Sequence, residues 1–200
     1  HGYNHQPLAL AGEYDYASIP YRGWTSRSAM RAAVTELERF TAEQFPSNKA
    51  TVYVPPSNIL SLTGQKMLEE EFPNIHTIAS TWFTETASHT RGQEFEQLAS
   101  GMVLQPRITS GELINDYITL SALCELNMHC VNTHFVHPDD AMDPDRGADL
   151  GWEYMFSGLS KHYDWLFETA PFIRRQVGSE LSQVIASWSA SNVNRGLVDN

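Results

Sequence analysis

Two histidines stand four residues apart at the start of the chain, in the run His1-Gly2-Tyr3-Asn4-His5. Neutral imidazole is a common ligand of Zn²⁺, and two imidazoles at this spacing can bind one ion together. With 8 His among 200 residues, chance alone produces this spacing about 0.3 times in such a chain. The pair therefore predicts a metal site only if other groups support it, and the alternative is a frayed terminal segment.

Four further segments with polar or rigid side chains lie at the ends of predicted strands or just after them. They are Pro55-Pro56-Ser57-Asn58, Trp82, Arg107 and His134-Phe135-Val136-His137. In folds that alternate strands and helices, the carboxyl ends of the parallel strands lie on one side of the sheet and carry the chemistry. We therefore expect these segments and the histidine pair to lie on one face.

Hydrophobic periodicity predicts the elements that position these groups. Helical patterns cover residues 26–44, 63–71, 115–128, 152–167 and 179–187. Strand patterns cover residues 50–54, 75–81, 102–105 and 130–136. Strands that alternate with helices predict an α/β fold with a parallel sheet, either open or closed as a barrel.

The composition predicts one folded domain and argues against several classes of partner. A hydrophobic content of 42% is enough for a sizeable core. The net charge of −11 and the lack of a basic run argue against nucleic-acid binding. No stretch reaches roughly 18 apolar residues, so we expect no membrane span. We predict a domain over residues 1–187 and a polar tail or linker over 188–200, and since the chain opens on His1 without Met, we expect a piece of a longer protein.

These motifs together resemble the NodB-type polysaccharide deacetylases. The resemblance is closest to the exopolysaccharide-modifying branch that includes the Pel deacetylase domain and the fungal galactosaminogalactan deacetylase. It rests on the His-x-x-x-His pair, the proline turn, the strand that ends in His, and a closing segment similar to that of the branch's catalytic domain. These are His1 with His5, Tyr53-Val54-Pro55-Pro56-Ser57-Asn58, Thr133-His134-Phe135-Val136-His137-Pro138, and Pro171-Phe172-Ile173-Arg174 followed by Ser179-Glu180-Leu181. The motifs cover most of the chain in the family's order.

The resemblance implies a parallel (β/α) barrel-like fold of NodB type, distorted and incomplete at the N-terminus. It also implies Zn²⁺, or another divalent metal, held by one Asp and two His, with His1 and His5 as the two histidines. The metal would activate a water that attacks the acetamide carbonyl of an N-acetylhexosamine. The Asp ligand and the Asp base would lie upstream of His1, so we expect this fragment to lack turnover.

The proline turn and the late histidine have roles in this resemblance. The backbone N–H of Ser57 would face the oxyanion, with Pro56 and Asn58 at the substrate. The alternative is that the prolines only end a strand. His137 would protonate the leaving amine. His134 would lie on the opposite side of a regular strand, packed or hydrogen-bonded, although a bulge would reverse this choice.

Two more residues are candidates for substrate binding. The family often has Arg just before the proline turn, where this chain has Tyr53-Val54, and Arg107 is the candidate replacement. Its alternative is a surface arginine. Trp82 would offer a flat face to a sugar ring, and its alternative is a core position.

We therefore predict a metal-dependent carbohydrate N-deacetylase that acts on an extracellular polysaccharide. The resemblance implies an extracellular, periplasmic or cell-surface location, while the hexosamine and the oligomeric state stay open. A non-catalytic glycan-binding member is one alternative. A barrel-type glycoside hydrolase is another, but it needs two carboxylates about 5–9.5 Å apart. The sequence has no Asp/Glu pair at successive predicted strand ends.

Overall fold

A computed structural model describes residues 1–14, 21–82, 92–137 and 139–191. The helices in these ranges are α1 (Arg27–Gln44), α2 (Leu62–Glu71), α3 (Asp116–His129), α4 (Trp152–Thr169) and α5 (Gly178–Ser189). The strands are β1 (Val52–Tyr53), β2 (Thr77–Ser80), β3 (Glu96–Gln97), β4 (Val103–Pro106), β5 (Thr109–Ser110) and β6 (His134–Phe135). The predicted α/β class is therefore confirmed.

Serine and asparagine caps set the starts of the first three helices. Ser26 Oγ accepts from Ala29 N at the start of α1, and Ser61 Oγ accepts from Gly64 N at the start of α2. Asn115 does the same for α3. These side chains satisfy amide groups that have no partner inside the helix. Helices α1 and α2 each end before a Phe-Pro pair, because proline disfavours helical backbone in the residue before it.

The chain divides into two compact units, residues 1–105 with the segment from 177 onward, and residues 106–176. The first unit holds α1, α2, α5 and a four-stranded sheet in the order β1-β2-β4-β3. Strands β1 and β2 are parallel, whereas β3 and β4 are antiparallel. The core of this unit is formed by residues from α1, α2 and the sheet, chiefly Met30, Val34, Met67, Leu68, Ile78 and Leu104.

A polar contact fixes α5 against the sheet of the first unit. The hydroxyls of Thr77 and Ser182 are hydrogen-bonded at 2.5 Å. Gln105 Nε2 donates to Ser182 Oγ at 2.8 Å and to the carbonyl oxygen of Gly178 at 2.7 Å. Each of these buried polar groups therefore has a partner inside the protein, as stable burial requires.

The second unit holds α3, α4 and the parallel pair of β5 and β6, with Thr109 opposite His134. The buried carboxylate of Glu125, on α3, accepts hydrogen bonds from Thr133 N at 3.0 Å, Thr133 Oγ1 at 2.8 Å and Asn132 Nδ2 at 2.8 Å. These bonds hold the segment between α3 and β6. They therefore set the position of the strand that carries His134.

The described strands form one four-stranded and one two-stranded sheet and do not close into a barrel. No helix in the described part of the chain combines the length and the hydropathy needed to cross a bilayer.

Candidate functional site

The histidine pair and the proline turn lie together in the first unit. The glycine between the histidines, Gly2, packs on Pro56: a Cβ built on Gly2 would lie 2.8 Å from Pro56 Cγ. We call the residues His1–His5, Tyr21 and Pro55–Asn58 the histidine–proline site. The structure therefore brings together two segments that the sequence places fifty residues apart and that we expected to meet.

The chain just after His5 is tied to the start of α2. Leu8 forms a parallel bridge with Leu60, and both the amide and the hydroxyl of Ser61 donate to the carbonyl oxygen of Leu8 at 3.1 Å. Gly64 lies so close that a Cβ there would be 2.2 Å from the same oxygen. This close packing on α2 fixes where the histidine segment lies.

The two imidazoles of this site lie side by side. The ring centroids of His1 and His5 are 5.3 Å apart with an interplanar angle of 24°. His5 Nδ1 is hydrogen-bonded to the hydroxyl of Tyr21, and Ser57 Oγ donates to the same hydroxyl at 3.4 Å. Tyr21 therefore links the histidine pair to the proline turn. The sequence does not indicate a role for Tyr21, because a single tyrosine in a loop carries no spacing signal.

The backbone of the site is unusual in both segments. Asn4 and His5 have φ of 49° and 53°, and Ser57 and Asn58 have φ of 50° and 58°. They are four of the five non-glycine residues with positive φ in the described part of the chain. Left-handed backbone costs a non-glycine residue about 1–2 kcal/mol. Residues held in such conformations concentrate at functional sites.

The turn uses its own amides next to Ser57. Asn58 N donates to the carbonyl oxygen of Pro55 at 3.1 Å, and Ile59 N donates to that of Pro56 at 2.9 Å. The amides of Asn58 and Ile59 are therefore already used and cannot serve as the oxyanion donor. The oxyanion role predicted for the N–H of Ser57 stays a prediction.

Asn58 and Trp82 have structural contacts. Asn58 Oδ1 accepts from Thr81 N at 3.0 Å and from Ser80 Oγ at 3.4 Å, which ties the proline turn to the end of β2. Trp82 is half-buried and packs against the hydrophobic core, and its amide and carbonyl are bonded to the side chain of Gln93. Part of the Trp82 side chain therefore lies against the core, as the alternative prediction of a core position expects. The substrate roles of Asn58 and Trp82 stay predictions.

Arg107 and His137 belong to the second unit. The Arg107 guanidinium lies 4.0 Å from the centre of the Phe135 ring and is partly buried. Burial lowers the pKa of Arg107 to about 10, because removal from water disfavours the charged form. Arg107 is therefore not the exposed surface arginine of the alternative prediction.

His137 contacts an ion pair. Arg146 Nη1 donates to His137 Nδ1 at 2.9 Å and to Asp140 Oδ1 at 2.5 Å. Because Nδ1 accepts this bond, a neutral His137 ring carries its hydrogen on Nε2. The hydrogen bond to Asp140 raises the pKa of Arg146, so the guanidinium stays charged beside the imidazole.

His134 is packed and hydrogen-bonded, as predicted. Its Nε2 donates to the carbonyl oxygen of Gly111 at 2.6 Å, and its ring centroid lies 5.6 Å from that of buried His162. Burial lowers the pKa of His134. Burial, and then repulsion from His134, lowers the pKa of His162. Both shifts favour the neutral forms of His134 and His162.

One expectation about carboxylates is wrong. Glu112 follows β5 by two residues and Asp140 follows β6, so an acidic pair does stand at successive strand ends. Burial first, and then a hydrogen bond and repulsion from Asp140, raises the pKa of Glu112. The pair was missed because β5 has only two residues and no alternating pattern. A polar residue just after Ser110-Gly111 was the only available signal.

The residues of the histidine–proline site fit two ligand positions of a zinc ion. Two imidazoles on one tetrahedral Zn²⁺ have centroids about 5 Å apart, since each Zn–N bond is about 2.0–2.1 Å. The separation of 5.3 Å between the His1 and His5 rings agrees with this distance. Among the described residues, no group of three His, Cys, Asp or Glu side chains could hold a metal ion.

Comparisons with known proteins bear on the family. No curated protein and no solved structure matches the chain. A family described as "Uncharacterised protein conserved in bacteria (DUF2194)" matches residues 1–200. Since that match spans the whole sequence, the chain belongs to this bacterial family.

Proposed function

We propose that this chain is the histidine-bearing part of a metal-dependent carbohydrate N-deacetylase, which removes acetyl groups from N-acetylhexosamine units of an extracellular polysaccharide. The observation that carries the proposal is the packing of the His1–His5 segment on Pro56, with left-handed backbone in both segments. Two ligand imidazoles beside a rigid turn are what an acetamide hydrolase of NodB type requires.

In this proposal His1 and His5 are two of the metal ligands. A bound Zn²⁺, or another divalent metal, polarises a carbonyl and lowers the pKa of a bound water to about 7. Tyr21 holds Nδ1 of His5, which leaves Nε2 as the ligand atom and fixes the ring orientation. The resemblance implies Asp residues as the third ligand and the base.

The remaining roles use groups of this chain. The N–H of Ser57 would stabilise the tetrahedral oxyanion, and one preorganised donor of this kind is worth about 2.7–4 kcal/mol. The general-acid role of His137 stays a prediction: the ring could protonate a leaving amine only as the imidazolium, which requires Nδ1 to give up its bond from Arg146. Pro56, Asn58 and Trp82 of the first unit would contact the substrate, and the substrate role of Arg107, in the second unit, stays a prediction. The parallel strands β1 and β2 would belong to a barrel-like fold of NodB type.

Acetate release tests this proposal. The full-length protein is incubated with N-acetylhexosamine oligosaccharides, and acetate and bound zinc are measured. We expect His5→Ala to lose both. His129→Ala, which removes an imidazole from the end of α3, is the matched control and should lose neither. Unchanged acetate release from His5→Ala would contradict the ligand role.

The alternatives give different products. A glycan-binding member would retain oligosaccharide without acetate release. A glycoside hydrolase would release new reducing ends, but the carboxyls of Glu112 and Asp140 are in hydrogen-bond contact, which is closer than the about 5–9.5 Å that such enzymes use.

A further inference from the structure

A single threonine side chain in the second unit contacts two other segments of that unit. Thr133 Oγ1 lies 2.6 Å from the carbonyl oxygen of Pro106, the last residue of β4, and 2.8 Å from Glu125 Oε1, on α3. The backbone carbonyl of Thr133 accepts from Thr109 Oγ1, in β5, at 2.6 Å. Thr133 therefore joins α3, the end of β4 and β5 just before β6 begins.

The two contacts of the Thr133 hydroxyl need two hydrogens. A hydroxyl has one hydrogen, and the Pro106 carbonyl can only accept. The contact of 2.6 Å with that carbonyl is a short hydrogen bond, so the hydrogen of Thr133 lies there. The contact of 2.8 Å with Glu125 Oε1 then takes its hydrogen from the carboxyl. In this arrangement Glu125 donates to Thr133, which is the reverse of the bond that an ionised carboxylate accepts.

The surroundings of Glu125 favour the protonated carboxyl. Glu125 is 2% exposed, and burial raises the pKa of its carboxyl to about 7, although Thr133 and Asn132 donate to it. Helix α3 packs against β5, whose residues Thr109 and Ser110 carry no charge. Among the described residues, no charged group contributes to the shift, so no cation there holds the carboxyl ionised.

We propose that Glu125, Thr133 and Pro106 form a proton-operated latch in the second unit. In the closed state the Glu125 carboxyl donates to the Thr133 hydroxyl, which donates to the Pro106 carbonyl. When the carboxyl loses its proton to the solvent, the single hydrogen of Thr133 turns to the carboxylate, because a hydrogen bond to a charged acceptor is the stronger one. The bond to Pro106 is then lost, and the latch is open.

The latch makes the second unit respond to pH in the neutral range. Pro106 is followed by Arg107, and Thr133 is followed by His134, so the latch links the end of β4 to the start of β6 beside two candidate residues. It is closed in acid and opens as pH rises through about 7, the pKa of Glu125. This device belongs to the hydrogen bonds of the fold and does not depend on the deacetylase activity.

Isotope-edited NMR of the full chain tests the latch. We expect the carboxyl signal of Glu125 to titrate with a midpoint at about pH 7. The carbonyl signal of Pro106 should move with the same midpoint, because that carbonyl loses its donor. A Glu125 carboxyl that is ionised at every pH above 4.5 would overturn the proposal. A Pro106 signal that stays constant while Glu125 titrates would overturn it as well.

Variants of Thr133 separate the hydroxyl relay from a general change in structure. Thr133→Val removes the hydroxyl, so Glu125 should still titrate while the Pro106 signal no longer follows it. Thr133→Ser keeps the hydroxyl and should keep the coupled shift. Thr41→Val, which removes a hydroxyl bonded to Leu37 in α1, is the control and should leave the coupling unchanged. A Pro106 signal that still follows Glu125 in Thr133→Val would contradict the latch, and if that variant does not fold, the wild-type titration decides.

Discussion

Pro56 fills the space beside Gly2, where a Cβ would lie 2.8 Å from Pro56 Cγ. Gly2 also has φ of +69°, a conformation that other residues adopt at a cost. The segment that carries His1 and His5 can therefore pack against the Pro56 ring only because Gly2 has no side chain.

Gly2→Ala should displace His1 and His5 from the proline turn. We expect a large change in the imidazole NMR signals of His5 and about a tenfold loss of zinc affinity in the full-length protein. Gly12→Ala is the control, since Gly12 also has positive φ but has no atom within 4 Å of a built Cβ. Equal effects of the two variants would show that backbone strain, and not the contact with Pro56, is responsible.

Tyr21→Phe should weaken metal binding without affecting folding. The variant removes the hydroxyl that joins His5 Nδ1 to Ser57 Oγ, and loss of such a partner typically costs about 10- to 100-fold in metal affinity. Zinc titration measures the effect. Tyr117→Phe, which alters an exposed tyrosine on α3, should leave the affinity unchanged. An unchanged affinity in Tyr21→Phe would remove the proposed role of Tyr21.

Two helical glycines should respond in opposite directions to alanine. At Gly64 the Cβ would lie 2.2 Å from the carbonyl oxygen of Leu8, so we expect Gly64→Ala to lower the free energy of unfolding by about 1–3 kcal/mol. At Gly158 the nearest atom is 3.5 Å away, and Gly158→Ala should gain up to about 1 kcal/mol of helix stability. Urea unfolding measures both, and a Gly64→Ala protein as stable as wild type would refute the tight contact.

Glu125 should make the protein less stable as pH rises. Burial raises the pKa of Glu125 from 4.5 to about 7, despite three hydrogen bonds to the carboxylate. The folded state therefore favours the protonated form. This stabilisation is present below pH 4.5, is lost as pH rises to about 7, and amounts to at most about 3 kcal/mol. Glu125→Gln should flatten that part of the stability curve, while Glu168→Gln should not.

His162 should make the protein less stable as pH falls. It is 4% exposed, and neither ring nitrogen has a hydrogen-bond partner among the described residues. Its pKa is lowered, so its contribution is present above the ordinary value of 6.5 and is lost as pH falls through the folded pKa. His162→Phe should reduce this loss and raise stability at neutral pH, because an unpaired buried polar group is removed. A steeper loss in acid than in wild type would contradict this.

The opposite directions of the last two effects require separate variants. Between pH 4.5 and 6.5 the Glu125 carboxyl stabilises the fold increasingly as pH falls, whereas His162 destabilises it. The wild-type curve alone would show only their difference. Measuring each variant over the whole range separates the two groups.

The sequence by itself determined the α/β class and most helix bounds, because the signals involved are local. Ser26 and Ser61 cap α1 and α2 through amides three residues away, and the Phe-Pro pairs end both helices within the same stretch of chain. The spacing of His1 and His5 is equally local, so the pair was visible without a structure.

Only the tertiary structure decided which distant groups meet. The bond from Tyr21 to His5, the left-handed backbone of His5 and Asn58, and the contact of Glu112 with Asp140 have no periodic signal. Each depends on loops or two-residue strands whose positions are set by packing elsewhere. Side-chain contacts across such segments arise from the folded arrangement of the chain, and propensity or spacing within one segment does not predict them.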